Sequence, residues 1–172
     1  MFIMKALFIG RFQPFHKGHL KIIIDASKKY QEVIVGIGSS QYGNKSDNPF
    51  TAAERRNMIE KSLNTIGVNN FKIILIPDIH NPPKWVNHVI SIVTDFDIVI
   101  SNNSFTNQLF TEKGFKVKET PLYNKDKYSG KVIRRRIING ESWEDLVPQQ
   151  VHDIIIKVGG EKRLKNLIKN ST

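Results

Sequence analysis

GRFQPFHKGH, at residues 10–19, marks the point where a predicted strand turns into a predicted helix. The apolar run before it, residues 2–9, has the composition of a buried strand. Apolar side chains recur at roughly helical spacing over residues 17–29, and Pro14 fixes the turn between the two elements. A strand, a tight Gly-containing turn and a helix are therefore predicted at the start of the chain.

The two histidines of this segment, His16 and His19, lie three residues apart, so the first turn of a helix would place them on one face. Helix N-termini carry free N–H groups and a partial positive charge, which together attract phosphate. Arg11 and Lys17 add positive charge, and Gly18 leaves room for a nucleotide to approach. The segment predicts a phosphate-binding turn. Two other interpretations compete with it. The histidines could bind zinc, although no third ligand completes such a site, or they could be two surface residues at a helix start.

The rest of the chain alternates strand and helix patterns, which predicts parallel pairing with right-handed crossovers. The early strands are nearly continuous apolar runs, as expected when helices cover both sheet faces. The predicted fold is an α/β, doubly wound parallel sheet in a single domain over residues 1–172, with C-terminal helices. Ligands in such sheets bind at the carboxyl ends of the strands. Further strands are predicted at residues 32–38, 71–76, 97–100 and 115–118, and further helices at 51–64, 85–93, 103–112, 129–138 and 161–169, with two helix starts at Ser142 and Pro148.

Composition restricts the classes of function. The chain has 172 residues, 40% hydrophobic and 24% charged, which is a globular composition. The absence of cysteine excludes disulfides, zinc thiolate sites and cysteine nucleophiles, and a cytoplasmic location is expected. No apolar run reaches the roughly 18 residues of a membrane helix, and the N-terminus is interpreted as a strand rather than a signal peptide. The net charge of +10 indicates a polyanionic partner, either nucleic acid or a phosphorylated small molecule.

The pattern His16-x-Gly18-His19 after a first strand resembles the nucleotidyltransferase superfamily with the H-x-G-H signature. The longer string at residues 10–19 resembles the archaeal-type nicotinamide-nucleotide adenylyltransferases. Similar strings continue almost to the end of the chain, at residues 36–39, 48–55, 95–97, 128–130, 133–136, 143–148 and 161–164.

This resemblance implies a Rossmann-like nucleotidyltransferase fold and an enzyme of pyridine nucleotide biosynthesis. Such enzymes join ATP and nicotinamide mononucleotide (NMN) into NAD⁺ and pyrophosphate by direct in-line attack. The resemblance places His16 and His19 on the ATP phosphates, Arg11 at the reacting centre, and Arg134 on the β- and γ-phosphates. It also implies a homo-oligomer, a hexamer, and Mg²⁺ carried on the ATP phosphates rather than in a protein metal site. The remaining ATP-binding positions are Gly10, Phe12, Gly18, Ser129 and Lys131.

On the acceptor side the resemblance implies that Trp85 stacks on the nicotinamide ring, while Asp78 and Ile79 recognise its carboxamide. A core tryptophan at the start of an amphipathic helix is the alternative for Trp85. The remaining NMN-binding positions are Ser39, Asn81 and Asn103. Three positions depart from the family pattern: Lys131 stands where the family has Thr, Asn102 where it has Gly, and Pro82 where it often has Asn.

Two other functions remain open. The first is a related nucleotidyltransferase with another phosphorylated acceptor such as phosphopantetheine, against which Trp85 and its loop argue. The second is an inactive nucleotide fold that acts as a basic nucleic-acid-binding module. The net charge favours that module, but aromatic residues are not interleaved with Lys and Arg on one strand face, as single-strand binding requires.

Overall fold

A computed structural model describes residues 3–121 and 123–171 of the chain. Its five strands form one parallel sheet in the order β3-β2-β1-β4-β5. The predicted doubly wound α/β fold is confirmed. Phe2, the first residue of the predicted strand, lies outside the described residues. The strands are β1 (Lys5–Gly10), β2 (Glu32–Ile37), β3 (Phe71–Leu75), β4 (Ile98–Ile100) and β5 (Lys116–Lys118).

The strand order reverses direction at β1, which pairs with β2 on one side and β4 on the other. Leu7 of β1 lies opposite Ile34 of β2 and Val99 of β4, so the three strands share one register. Because all strands are parallel, their carboxyl ends lie at the same edge of the sheet. The reversal opens a crevice at that edge, which is the usual ligand site of such sheets.

Helices cover both faces of the sheet, as the apolar strand runs predicted. Phe8 packs in the larger core with Ile23 and Ile133, whereas Leu7 points to the opposite face and packs with Val89 and Phe110. No helix among residues 3–121 and 123–171 is long and apolar enough to cross a membrane. The helices are α1 (Lys17–Lys29), α2 (Ala52–Thr65), α3 (Pro82–Ile92), α4 (Ser104–Glu112), α5 (Gly130–Asn139), α6 (Gln149–Lys157) and α7 (Gly160–Asn170).

Two predicted helix starts differ from the structure. Helix α3 begins at Pro82 rather than Trp85, because prolines fit the first helical turn, where a missing N–H breaks no helical hydrogen bond. The helix predicted from Ser142 is a short 3₁₀ turn, Glu144–Leu146. There the Ser142 hydroxyl and the Trp143 N–H both donate to the Glu144 carboxylate, at 2.7 and 2.9 Å.

Candidate active site

Two adjoining cavities open at the carboxyl edge of the sheet, and both include Ile9 and Gly10 at the end of β1. The first, here named the Trp85 cavity, measures about 480 Å³ and is lined by Trp85, Arg11 and Ser39 among others. The second, here named the histidine cavity, measures about 320 Å³ and is lined by His16, His19 and Ser129 among others. The switch point of the sheet therefore carries two chemically different compartments that meet at Gly10.

The two histidines cap helix α1 reciprocally. The backbone N–H of His16 donates to Nδ1 of His19 at 3.2 Å, and the N–H of His19 donates to Nδ1 of His16 at 3.3 Å. The rings stack with their centroids 3.5 Å apart. Because Nδ1 of each ring is an acceptor, the proton of each neutral ring resides on Nε2. Each imidazole can therefore donate a hydrogen bond from Nε2, the nitrogen that capping leaves unused.

Both imidazoles are held in the neutral form. Burial lowers the pKa of His16 from 6.5 to about 3. Burial, and secondarily the neighbouring His16, lowers the pKa of His19 well below its usual value. Neutral rings that donate from Nε2 bind phosphate oxygens as hydrogen-bond donors rather than as fixed charges.

Aromatic rings and glycines hold the pair in place. The ring of Phe12 is 1% exposed and meets the ring of His19 edge-on, with a centroid distance of 4.8 Å. Phe15 stacks on His19 at 5.7 Å. A Cβ on Gly10 would lie 2.9 Å from the Phe12 ring, and a Cβ on Gly18 would lie 3.0 Å from the His16 ring. The glycines of the motif thus leave space for the rings that position the histidines.

A second helix N-terminus faces the histidine cavity. Ser129 lines the cavity and caps α5, its hydroxyl accepting from the N–H of Val132 at 3.3 Å. His16, the N-cap of α1, lines the same cavity. Two helix dipoles therefore direct their positive ends toward one compartment, which favours a polyanion there.

Arg134 of α5 lines neither cavity. Its Nη1 donates to the carbonyl of Gln13 at 2.6 Å. A Cβ on Gly130 would lie 2.9 Å from that Nη1 and 2.9 Å from the backbone carbonyl oxygen of Gln13, so glycine leaves room for this contact. Burial, and then the positive charge of Arg11, lowers the pKa of Arg134. Lys131, on the same helix, is exposed and lines neither cavity.

The Trp85 cavity has an aromatic and apolar wall. Trp85 is half-buried and meets Phe110 edge-on, with ring centroids 5.5 Å apart. Phe105 of α4 lines the same cavity although 54% of its surface is exposed. Trp85 is thus neither a fully buried core residue nor a surface one, and part of it remains available to a flat ring.

Polar groups lie on the β2 and β3 side of the Trp85 cavity, where Ser39, Asp78 and Asn81 form part of its lining. Gln41 binds both backbone groups of Asp78: it donates to the carbonyl at 2.8 Å and accepts from the N–H at 2.9 Å. The Asp78 carboxylate accepts from the N–H of His80 at 2.8 Å. Ile79 is 37% exposed and does not line the cavity.

Asn103 lies apart from the other residues predicted to bind the mononucleotide. It lines the histidine cavity and follows β4, which pairs with β1 on the side opposite β2. Its side chain caps α4 by accepting from the N–H of Thr106 at 2.9 Å. The neighbouring Asn102, one of the departures from the family pattern, exchanges two hydrogen bonds of 2.8 Å with Thr120, two residues beyond the end of β5.

Three residues at this edge that are neither glycine nor asparagine adopt left-handed backbone conformations, which such residues rarely populate. Phe12, Ser39 and His80 have φ values of +54°, +47° and +50° and follow β1, β2 and β3 respectively. Strained residues of this kind cluster at functional sites. Neither residue type nor spacing signals the strain at these positions, so it was not predicted from sequence.

Sequence reasoning also missed His80, Phe105 and Tyr128, which line the cavities. The sequence did contain a signal for Phe105, since a large apolar residue at a predicted helix start is not expected to pack in the core and is available to a ligand. Among residues 3–121 and 123–171, no group of three or more His, Cys, Asp or Glu side chains is arranged to hold a metal ion.

Known proteins are similar to this chain in sequence and in fold. Residues 7–136 match the model of the cytidylyltransferase-like family. The chain is 48% identical over 166 residues to a nicotinamide-nucleotide adenylyltransferase of Methanococcus aeolicus, covering 95% of both proteins. It is 44% identical over 170 residues to one of Archaeoglobus fulgidus, covering 95% of this chain and 97% of the relative.

A solved structure shares the fold. It is a bifunctional NMN adenylyltransferase/ADP-ribose pyrophosphatase of Francisella tularensis, crystallised with AMP and a manganese ion, with a TM-score of 0.80 at 24% identity. The match covers 98% of this chain and 52% of that protein, so the chain spans about half of the bifunctional enzyme. Given the sequence identity over nearly the full length of its relatives, the chain belongs to the family of nicotinamide-nucleotide adenylyltransferases.

Proposed function

We propose that this protein, as a single nucleotidyltransferase domain, transfers the adenylyl group of ATP to nicotinamide mononucleotide and releases pyrophosphate. One observation carries the proposal above the others. A cavity with two neutral imidazoles and two helix N-termini adjoins a cavity with an accessible tryptophan, and the two meet at Gly10. That arrangement suits a triphosphate on one side, a flat base on the other, and a reacting phosphorus between them.

ATP occupies the histidine cavity in this proposal. Nε2 of His16 and of His19 donates to phosphate oxygens, and the N-termini of α1 and α5 add the N–H groups around Gly18 and Ser129. The backbone at Phe12 shapes the floor of the turn, while its ring supports His19. Arg134 and Lys131 serve the β- and γ-phosphates from α5, which requires their side chains to move from the positions described above.

NMN occupies the Trp85 cavity, with its nicotinamide ring against the indole. Because Gln41 binds both backbone groups of Asp78, carboxamide recognition falls to the Asp78 carboxylate, the backbone of Ile79 and the Asn81 side chain. Ser39 lies toward the ribose phosphate. Asn103 contacts NMN from the histidine cavity.

The chemistry is a direct displacement. A phosphate oxygen of the mononucleotide attacks the α-phosphorus of ATP, the bond from that phosphorus to the oxygen bridging to the β-phosphorus breaks, and pyrophosphate leaves with the bonding electrons. Arg11, which lines the Trp85 cavity next to Gly10, lies where the two phosphates meet and offsets their repulsion. Positioning and charge stabilisation provide the catalysis, so no covalent enzyme intermediate forms.

ATP enters as its Mg²⁺ complex, since this ion binds phosphate oxygens and keeps several waters rather than requiring a protein cage. The family resemblance further indicates a homo-oligomer, a hexamer. Light scattering would measure the mass of the assembly, for comparison with the 19.7 kDa of one chain.

An acceptor panel tests the proposal. Purified protein is incubated with ATP and Mg²⁺ and with NMN, nicotinic acid mononucleotide, phosphopantetheine or no acceptor, and products are separated by chromatography. We expect NAD⁺ and pyrophosphate in equal amounts with NMN. Turnover of phosphopantetheine without NAD⁺ formation would contradict NMN as the acceptor. Absence of turnover with every acceptor would contradict adenylyl transfer itself.

A further inference from the structure

We infer that Arg55 is a positioning residue that fixes the ATP half and the mononucleotide half of the site relative to each other. The inference deepens the proposed function and rests on it. Arg55 is on α2, its side chain is 0% exposed, and it lines neither cavity, so it does not touch substrate.

The guanidinium of Arg55 joins the loops that follow β1 and β2. Nη1 donates to the carbonyls of Arg11 at 2.9 Å and Gly38 at 2.8 Å. Nη2 donates to the carbonyls of Ser39 at 3.2 Å and Tyr42 at 3.0 Å. Nε donates to the carbonyl of Thr51, one turn back on its own helix, at 3.3 Å. All three nitrogens therefore bind backbone, and four of the five acceptors belong to loops at the active edge of the sheet.

These carbonyls belong to the peptide groups beside two strained residues. The Arg11 carbonyl is in the peptide group that precedes Phe12, whose φ is +54°. The Gly38 and Ser39 carbonyls are in the peptide groups on either side of Ser39, whose φ is +47°. Left-handed non-glycine residues persist only where surrounding contacts fix them. Arg55 supplies such contacts in both loops through one rigid group.

The guanidinium has no carboxylate partner that could compete with the carbonyls. Within the described residues, no acidic side chain lies at ion-pairing distance from Arg55. The adjacent Glu54 instead binds Arg163, through contacts of 2.7 and 2.8 Å. Burial lowers the pKa of Arg55 to about 10, so the group stays charged at neutral pH. A buried cation without a paired anion is costly unless every donor is used, and here the carbonyls use them.

Fixing these loops has a consequence for in-line transfer. Arg11, Gly38 and Ser39 line the Trp85 cavity, while the loop after β1 continues to the His16–His19 pair. Reacting atoms must approach within about 3.5 Å along one line, and an error of about 1 Å can cost a hundredfold in rate. A lysine at position 55 has the charge but only three donors on one nitrogen, so it cannot hold both loops in the same geometry.

The test compares Arg55→Lys with Met58→Ala, a matched control on the same helix whose side chain is also 0% exposed but packs in the hydrophobic core. Both variants are assayed well below their melting temperatures, with kcat, both KM values and Tm measured for each. We expect Arg55→Lys to lower kcat by about 30- to 100-fold and to change each KM by less than about threefold. Met58→Ala, at a similar loss of Tm, should keep kcat within about twofold of the wild type.

Equal loss of kcat in both variants, or an Arg55→Lys effect confined to one KM, would overturn the inference. Wild-type protein that forms no NAD⁺ would instead reject the proposed function itself. If Arg55→Lys does not fold, a semisynthetic protein with an ester in place of the Gly38–Ser39 amide weakens the shortest of the five contacts without altering any side chain. A fall in kcat of at least about threefold supports the inference, and an unchanged kcat contradicts it.

Discussion

Helix capping uses Nδ1 of His16 and His19, and the proposed binding of phosphate uses the opposite nitrogen, Nε2. Nδ1 of His16 accepts from the N–H of His19, and the reverse bond is also present. Serine at position 16 would keep a capping oxygen, but its side chain is too short to reach the cavity with a donor. The two tasks of this residue can therefore be separated by substitution.

We expect His16→Ser to lower kcat/KM for ATP by about 10²- to 10³-fold, because a donor to the phosphates is lost. His16→Ala should lose as much activity and be about 1 kcal/mol less stable than His16→Ser, because the cap is lost too. Steady-state kinetics and urea denaturation measure the two effects. An active His16→Ser variant would show that the imidazole serves only as a cap.

The neutral histidines also make stability depend on pH. The pKa of His16 is about 3 in the folded protein, against an ordinary 6.5, so below pH 6.5 the unfolded chain binds a proton that the folded protein does not. The associated stability is complete above pH 6.5 and is lost as the pH falls toward 3. Between pH 6 and 4, His16→Ser should reduce the slope of unfolding free energy against pH by about 1.4 kcal/mol per pH unit. An unchanged slope would show that His16 protonates freely in the folded state.

At Trp85 the competing interpretations are a ring-stacking residue and a core residue. Trp85→Ala should raise the KM for the mononucleotide by about tenfold, since stacking on an aromatic side chain contributes about 1–3 kcal/mol per base, and leave the KM for ATP within about twofold. For Trp85→Phe, the KM for the mononucleotide should lie between those of the wild type and Trp85→Ala. A loss of melting temperature with unchanged KM values would favour the core interpretation.

Among the elements, helix α1 carries a glycine between its histidines, and the position of the His16 ring depends on that glycine. Alanine at position 18 would favour the helix by about 1 kcal/mol. Its Cβ, however, would lie 3.0 Å from the His16 ring and 3.1 Å from Cβ of Tyr128. We expect Gly18→Ala to lower kcat about tenfold without loss of Tm, whereas Lys28→Ala, at an exposed site on the same helix, should match the wild type. Full activity of Gly18→Ala would show that the ring has freedom to move.

Elements with a local signal were predicted well from the sequence. The capping box at Thr51 and Glu54 predicted the start of α2, and the structure contains both of its hydrogen bonds. Helix α3 was predicted three residues late, because two prolines in succession resemble a loop. The motif that contains the histidines was recognised, and the structure brings both rings into one cavity.

Features that depend on long-range contacts could not be predicted. Arg55 appeared as one more arginine in a family-like string, and its partners lie 13 to 44 residues away along the chain. Asn103, predicted among the mononucleotide ligands, lines the histidine cavity rather than the Trp85 cavity, and its role stays a prediction. The sheet order decides which loops meet at β1, and a strand pattern alone leaves that order undetermined.

Across the whole molecule, the C-terminal helices are tied to the active-site region through Arg163 of α7. Its guanidinium binds both oxygens of Glu54, at 2.7 and 2.8 Å, and the Pro49 carbonyl at 3.0 Å. Glu54 in turn accepts from the N–H of Thr51 at the start of α2, the helix that carries Arg55. The last helix therefore braces the element that positions the two loops.

Arg163→Met should lower the free energy of unfolding by about 3 kcal/mol, because the partly buried Glu54 carboxylate loses its partner. Adding Glu54→Gln should recover part of that loss, since the uncompensated charge is removed. Urea denaturation of the wild type, the two single variants and the double variant measures the coupling. Simple additivity of the two single losses would contradict a direct ion pair.

The reaction itself is tested most directly by following the phosphorus atoms of ATP. Purified protein is given NMN and Mg²⁺ with ATP labelled with ³²P at either the α or the γ position, and the labelled products are separated. Adenylyl transfer predicts that the α label appears in NAD⁺ and the γ label in pyrophosphate. A γ label attached to the acceptor, or released as inorganic phosphate without NAD⁺, would contradict the account.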